Sequence, residues 1–439
     1  MGYYRGAIMN DDSSSKTARL ERELNRLRTS PSLRLGAHIT NSIRKPWLAP
    51  FLLFSLPFMM LKIGLEMLGR IPSPTTPLLP NIESASKNTI IMFPTNGVGF
   101  GHFTRMLALA KRMRKKDPEL EIVFFTTMPT LHILKEAGFP AHHVSGPKYF
   151  RGLDSMKWNG LIEEELNICF DVHRPSMFIF DGTFPYRGML RAVATRTTMK
   201  KVWMRRGTFR AGSSIPVDSI SHFDIIVHPE DSVSLPEVEV DHGVEILTCP
   251  PIVLLDEEEL LSREASRSRL MIPEDATAIY VQLGAGEIND IHSEVRLTIE
   301  ALTSHEGVHI ILGESMIGDR LEINLPRVHI IRDYPNSMYF RAFDATVQAG
   351  GYNSFHETRC FGLRTLFYPN MKTGMDDQLA RCKVAEIEGW GSVLEVRGPG
   401  DISKACAELL DNSTQLSPPS FENGAVQLAT SLLELIQGE

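Results

Sequence analysis

No stretch of this 439-residue chain is apolar for long enough to cross a bilayer as a single helix. The most apolar run, Trp47–Leu61, has 15 residues, contains Pro50 and Pro57, and falls short of the roughly 20 that a span requires. It starts late and lacks a small-residue cleavage site, so it does not read as a signal peptide. Cysteine is scarce: five residues, widely spread, with no C-x-x-C pair. That argues against a disulfide framework and a zinc site and fits a reducing compartment, with buried structural thiols favoured over a catalytic cysteine. There is no overall positive charge either. The net charge of −7 and pI near 6.1 give no argument for nucleic-acid binding. Nor does any D-x-D sequence occur.

What the chain does have is local basic charge. Between Lys16 and Lys45 eight Lys/Arg stand against two Glu, so this arm carries about 8 − 2 = +6 while the remainder is acidic. Residues 1–15 are polar and read as disordered; Leu20, Leu24 and Leu27 then recur at helical spacing among charges. Arg44 and Lys45 precede the aromatic-rich apolar run, and Lys62, Glu66 and Arg70 follow it. A basic flank beside a shallow apolar segment suits an interfacial anchor, so residues 34–70 are expected to meet a membrane surface. The bland alternative is a hydrophobic helix docked on the body of the protein. Ile71–Pro80, with four prolines, reads as a stiff linker.

From residue 86 short apolar strands alternate with helical periodicity. Strands are expected at Thr89–Phe93, Glu121–Thr127, Met177–Phe180, Lys201–Met204, Phe223–His228 and Glu245–Thr248. After Cys249-Pro-Pro251, which reads as an interdomain turn, the alternation restarts at Ala278–Leu283, Val308–Leu312, Val328–Ile331, Ala345–Gln348 and Thr365–Tyr368. Uninterrupted apolar strands separated by helices mean parallel sheets covered on both faces. The chain therefore divides into an extension (1–85), an N-terminal Rossmann-like domain (86–250) and a C-terminal one (251–439) ending in an amphipathic helix.

In such folds ligands bind at the loops that follow strands. The first loop is Asn96-Gly-Val-Gly-Phe-Gly-His102-Phe-Thr-Arg105. Gly97, Gly99 and Gly101 let backbone approach a ligand, and the helix start favours negative charge. His102 there is either a proton acceptor kept neutral by the helix dipole or a plain capping histidine. Arg105, one turn on, either steers an anionic acceptor or is solvated. Asp181, ending its strand, either orients His102 and meets acceptor or caps the helix Tyr186–Ala194. A second loop, Gln282-Leu-Gly-Ala-Gly286, offers Gly284 and Gly286. The third constellation is Gly350-Gly351-Tyr-Asn353-Ser354-Phe-His-Glu357, with Asp377-Gln378 beyond it. A glycine pair with Asn and Ser at a helix start suits a diphosphate, and Glu357 can accept from ribose hydroxyls.

These motifs, in this order, resemble GT-B glycosyltransferases of the family-28, MurG-like type, over roughly residues 88–410. The resemblance implies an α/β GT-B fold: two facing Rossmann-like domains with parallel sheets, here with an N-terminal helical and hydrophobic extension. It implies a nucleotide-sugar donor, UDP-linked, held by Gly284, Gly286 and Gly350–Glu357, with the sugar on Asp377 and Gln378, and no cofactor or metal. The first loop departs from the usual G-G-T-G-G-H. Its G-F-G-H-x-x-R form is similar to the UDP-sugar hydrolase of pseudaminic acid synthesis (the PseG type), in which the histidine activates water. The middle loop lacks the family's serine and glutamine. The Leu27–Gly36 arm resembles extensions on bacterial surface-polysaccharide glycosyltransferases. The expectation is inverting transfer to a lipid-linked or glycan acceptor at the inner face of the cytoplasmic membrane, with a hydrolase or a non-catalytic binder as alternatives.

Overall fold

In a computed structural model the chain is described at residues 29–68, 70–71, 89–95, 100–129, 131–146, 154–205, 217–233, 244–284, 291–314, 323–373, 376–411 and 421–437. It divides into two compact units: Met1–Thr89 with Asn167–Arg174, and Ile90–Leu166 with Pro175–Glu439.

The smaller unit contains a helical hairpin. Helix α1 (Pro31–Arg44) starts on Ser30, whose hydroxyl caps Leu33 N–H, with Pro31 at a first-turn position that needs no donor. A 3₁₀ turn (Pro46–Phe51) leads into α2 (Leu52–Met67). Polar groups pair between the two helices: Arg34 donates to both oxygens of Glu66 at 2.6 and 3.2 Å, and His38 Nε2 lies 2.8 Å from Ser55 Oγ. Apart from Lys62 the outward side chains of α2 are mostly apolar, with Leu53 and Phe54 each 79% and Phe58 70% exposed. This inverts the usual order for a helix in water, where the apolar stripe faces its partner. Among the described residues no helix is long and apolar enough to cross a membrane. The Leu20–Leu27 periodicity and most of the Pro-rich linker lie outside the described residues.

The larger unit is built on two parallel sheets. The first has strands β1 (Thr89–Pro94), β2 (Glu121–Thr126), β3 (Ala141–His143), β4 (Met177–Asp181), β5 (Lys200–Met204), β6 (Ile225–Pro229) and β7 (Glu245–Cys249), in the order 3-2-1-4-5-6-7. Its helices are α3 (Gly101–Lys116), α4 (Leu131–Glu136), α5 (Ser155–His173), α6 (Arg187–Ala194) and α7 (Val217–Ile220). The second has β8 (Thr277–Gln282), β9 (Val308–Gly313), β10 (Val328–Ile331), β11 (Ala345–Ala349), β12 (Thr365–Tyr368) and β13 (Gly391–Val393), ordered 10-9-8-11-12-13. Its helices are α8 (Arg263–Leu270), α9 (Ile291–Thr303), α10 (Tyr352–Cys360), α11 (Gln378–Ile387) and α12 (Pro399–Asp411). Every residue of β1 and β4 is buried, which is why both strands are apolar apart from Thr89 at the start of β1 and Asp181 at the end of β4. The expected strands are all present. The two that sequence did not reveal, β3 and β13, are three-residue edge strands without a periodic signal.

The terminal helix α13 (Gly424–Gln437), grouped above with the second half by sequence order, joins the first core. Its Leu428, Ala429, Leu432 and Leu433 belong to the same buried cluster as Met106, Ala110 and Met113 of α3. The outgoing and returning crossings are tied by Asn423, whose side chain bonds both N–H and C=O of Val253.

Each sheet reverses its strand order at one point, between β1 and β4 and between β8 and β11. The crevice at such a reversal, beyond the carboxyl ends of the strands, is where doubly wound sheets bind ligands. The candidate residues flank these two crevices: His102 follows β1 and Asp181 ends β4, while Gly284 follows β8 and Gly350 follows β11.

Candidate active site

The first crevice holds a histidine–aspartate–arginine cluster. Pro94 and Asp181 are opposite each other in the β1–β4 register, and Thr95 N–H donates to the Asp181 carbonyl at 2.8 Å. That fixes the Asp181 carboxyl beneath the first turn of α3. His102 and Arg105, three residues apart, share one helix face and both reach it. His102 Nδ1 is 2.7 Å from Asp181 Oδ1; Arg105 donates through Nη2 to Oδ1 at 2.7 Å and through Nε to Oδ2 at 3.1 Å.

Asp181 is wholly buried. Burial by itself would push its pKa up, but Arg105 and then His102 outweigh burial and hold it below the ordinary carboxylate value. An ionised carboxylate only accepts hydrogen bonds, so Nδ1 of His102 carries the proton and the ring's lone pair is on Nε2. Arg105 Nη2 also lies 3.0 Å from Nδ1, as two donors converging on one oxygen must. The result is an oriented imidazole suited to accept a proton.

Two sequence alternatives are thereby decided. Asp181 does not cap the next helix, whose N-cap is Tyr186. Arg105 is not solvated but 1% exposed, committed to Asp181, with its guanidinium 5.2 Å from the Tyr352 ring centroid. A buried cation so engaged is placed to orient the dyad. Gly97 and Gly99 lie outside the described residues; Gly101, at the helix start, has nothing within 4 Å of where a Cβ would stand.

The basic run at the end of α3, Lys111–Lys116, is largely spent within the fold. Lys111 pairs with Glu259, Arg112 with Asp256 and Glu259, and Arg114 bonds the Gly138 carbonyl.

The second crevice holds the glycine turn. Gly351 is the N-cap of α10 in an extended conformation (φ −66°, ψ 151°), with open space where its Cβ would be. Gly350 is confined instead: a Cβ there would run into Cys382 Sγ. Gly284 has φ +100°, a conformation that favours glycine. Gly286 lies outside the described residues.

Asn353 and Ser354 stand in the first turn of α10, and Asn353 Oδ1 is buried without a hydrogen-bond partner among the described residues. Glu357, one turn further, accepts from Ser337 Oγ at 3.2 Å. Burial raises its pKa to about 7, against the lowering effect of that hydrogen bond. Asp377 caps α11 by accepting from Ala380 N–H at 3.0 Å. Gln378 is partly committed to the fold, its carbonyl accepting from Asn370 N–H at 2.9 Å and its amide 3.4 Å from Asp376.

Residues that sequence reading did not single out join the two crevices. Tyr334, before a cis proline, meets Thr104 Oγ1 through its hydroxyl at 2.9 Å and lies 5.4 Å from the Phe100 ring. Tyr352 donates to the Glu230 carbonyl and accepts from Ile252 N–H. Arg381 is buried between Asp231 and Asp376. Tyr352 and Arg381 sit inside or just after the quoted motifs, a position that was the one available signal for them; Asp231 carries no local signal, because its partner is 150 residues away.

No protein-family model matches the chain. An uncharacterised glycosyltransferase of Methanopyrus kandleri is 27% identical over 149 residues, spanning 32% of this chain and 40% of that relative. Among solved structures, MurG of Acinetobacter baumannii aligns with a TM-score of 0.50 at 14% identity, over 80% of this chain and 100% of its own. The calicheamicin glycosyltransferase CalG4 gives 0.55 at 16%, over 81% and 99%. The spinosyn rhamnosyltransferase SpnG, solved with thymidine diphosphate, gives 0.50 at 13%, over 80% and 96%. At these identities the likeness is one of fold. The chain has the GT-B fold, and its solved neighbours are GT-B glycosyltransferases.

Proposed function

We propose that the protein is an inverting glycosyltransferase that moves a sugar from a UDP-linked donor to a lipid-linked or surface-polysaccharide acceptor. The observation that carries this reading is the His102–Asp181 dyad at one switch point, set against the Gly350–Ser354 turn at the other through Arg105 and Tyr352. The acceptor hydroxyl oxygen attacks the anomeric carbon while its proton passes to His102 Nε2. The bond from that carbon to the diphosphate oxygen breaks, and its electron pair leaves with the nucleoside diphosphate. Asp181 holds Nδ1–H throughout and balances the imidazolium that forms. N–H groups at the start of α10 meet the charge developing on the diphosphate, Asn353 and Ser354 add polar contacts, and Glu357 takes the ribose. Gly284 and Gly286 are assigned to donor binding, and Asp377 with the remaining amide N–H of Gln378 faces the sugar. With backbone and helix dipole in that role the reaction needs no metal, so chelation with EDTA should leave the rate unchanged.

In this proposal residues 34–70 attach to a membrane surface, at the inner face of the cytoplasmic membrane; the α1–α2 hairpin supports the surface contact alone. Pairing polar groups inward and turning Leu53, Phe54 and Phe58 outward suits a helix bedded in the headgroup region, with Arg44, Lys45 and Lys62 beside it for phosphates. The experiment is UDP release from a panel of UDP-sugars, with and without a lipid extract. Release that depends on the extract supports transfer. Release at the same rate without any acceptor points to a PseG-like hydrolase, and release from no donor contradicts both.

A further inference from the structure

We infer that Arg381 is a positioning residue for the donor diphosphate, and that Asp231, from the half built on the first sheet, holds it in that role. The inference rests on the reading of the Gly350–Ser354 turn as the diphosphate site.

Arg381, on the first turn of α11, is wholly buried. Its Nη1 donates to the Gly350 carbonyl at 2.8 Å. Its Nε donates to Asp231 Oδ1 at 2.9 Å, and its Nη2 reaches Asp231 Oδ2 and Asp376 Oδ1, each at 2.7 Å. One guanidinium against two carboxylates leaves no net positive charge to offer a diphosphate. Arg381 therefore acts through what it orients.

In a trans peptide the C=O and the following N–H point in opposite directions. Drawing the Gly350 carbonyl towards Arg381 turns the Gly351 N–H the other way. On the Arg381 side the space is filled, since a Cβ on Gly350 would meet Cys382 Sγ and Gln378 Cβ. Among the described residues no atom lies within 4 Å of where a Cβ on Gly351 would stand. A backbone donor beside such an opening at a helix start is what a phosphate oxygen needs.

Asp231 makes this arrangement depend on both halves of the large unit. It follows β6 of the first sheet, whereas Gly350 and Arg381 belong to the second. Its side chain is 1% exposed, and the buried His356, on α10 itself, lies 3.2 Å from it through Nε2. Tyr352 bonds the carbonyl of Glu230, the neighbouring residue. Whatever separates the halves removes the Asp231 bonds that help fix the guanidinium, and with them the aim of the Gly351 N–H. Diphosphate affinity and interdomain contact are linked, so each strengthens the other.

The test is calorimetric binding of uridine diphosphate and of uridine to the full-length protein, for wild type, Asp231→Asn, Arg381→Lys and Gly351→Pro. The last substitution suits φ −66° and deletes the N–H itself, without disturbing the buried ions. Expected is at least a tenfold loss of uridine diphosphate affinity in each folded variant, with uridine affinity changed less than twofold. Unchanged uridine diphosphate affinity in Gly351→Pro, or a parallel loss of both ligands in Asp231→Asn and Arg381→Lys, overturns the positioning role. Should wild type bind neither uridine diphosphate nor thymidine diphosphate, the reading of the turn as a diphosphate site fails first.

Discussion

Replacing Asp181 by Asn keeps the shape of the first crevice and removes the negative charge that His102 and Arg105 share. Three donor contacts converge on the carboxylate: His102 Nδ1 and Arg105 Nη2 on Oδ1, Arg105 Nε on Oδ2. An amide can accept at only one of these positions. Its least costly orientation puts the carbonyl at Oδ1 and the NH₂ against Arg105 Nε. Ground-state geometry is then nearly kept, but the imidazolium formed during reaction loses its counter-charge and faces Arg105 unshielded. Two unit charges about 4 Å apart, at an effective dielectric of about 20, interact by about 4 kcal/mol. Because Arg105 already shares the carboxylate, about 2–4 kcal/mol is a fair range, or roughly 30- to 1,000-fold in rate. The assay is steady-state UDP release in the presence of acceptor, with the donor KM recorded alongside. The expected result is a kcat lower by that factor and a donor KM within about threefold. A buried pair is also weakened, so a fall in melting temperature accompanies the change, and turnover is compared well below it. A fully folded Asp181→Asn protein with wild-type kcat would refute the assignment of His102 as base.

The carboxyl of Glu357 should impose a pH dependence on donor binding. Its pKa is raised to about 7, so raising pH from 6 to 8 ionises it, and the better acceptor should tighten donor affinity several-fold, a slope that Glu357→Gln abolishes. The stability sign is the reverse: the neutral acid is fully accommodated below the unfolded pKa of about 4.5, and that stability is lost as pH rises through about 7, as melting curves across this window would show. The two turn glycines should behave differently. Gly350→Ala must displace Cys382 and should cost about 1–3 kcal/mol in denaturant unfolding, whereas Gly351→Ala should fold normally and raise the donor KM. On the hairpin, a Leu53→Ser, Phe54→Ser, Phe58→Ser triple variant should lose co-sedimentation with anionic phosphatidylserine vesicles while keeping turnover on a soluble acceptor; undiminished sedimentation would place the membrane contact elsewhere.

Sheet architecture was legible in the sequence because parallel strands buried on both faces are written as apolar runs, as in Met177-Phe-Ile-Phe180. Loops after strands were legible for a related reason: glycine pairs and triplets have few other uses there. Partnerships across long separations were not. Nothing near Asp181 announces that it serves His102 and Arg105 rather than the helix that follows, since that choice is made by the β1–β4 register. Arg105 looked like an exposed helical cation because periodicity alone does not reveal the carboxylate below it. The terminal helix read as amphipathic, but its docking on α3 is fixed by the return crossing at Asn423 and not by its own pattern. The inverted hairpin was half visible: the apolar run was evident, while the inward Arg34–Glu66 pairing needs both helices in place.

The most direct test of the account is the anomeric configuration of the product, followed by proton NMR during turnover of a donor of known configuration with its acceptor. Single displacement by an acceptor activated at His102 predicts a glycoside of opposite configuration to the donor, and no such product from His102→Ala at equal nucleotide affinity. Retention of configuration, or an inverted product formed at the wild-type rate by His102→Ala, would contradict it.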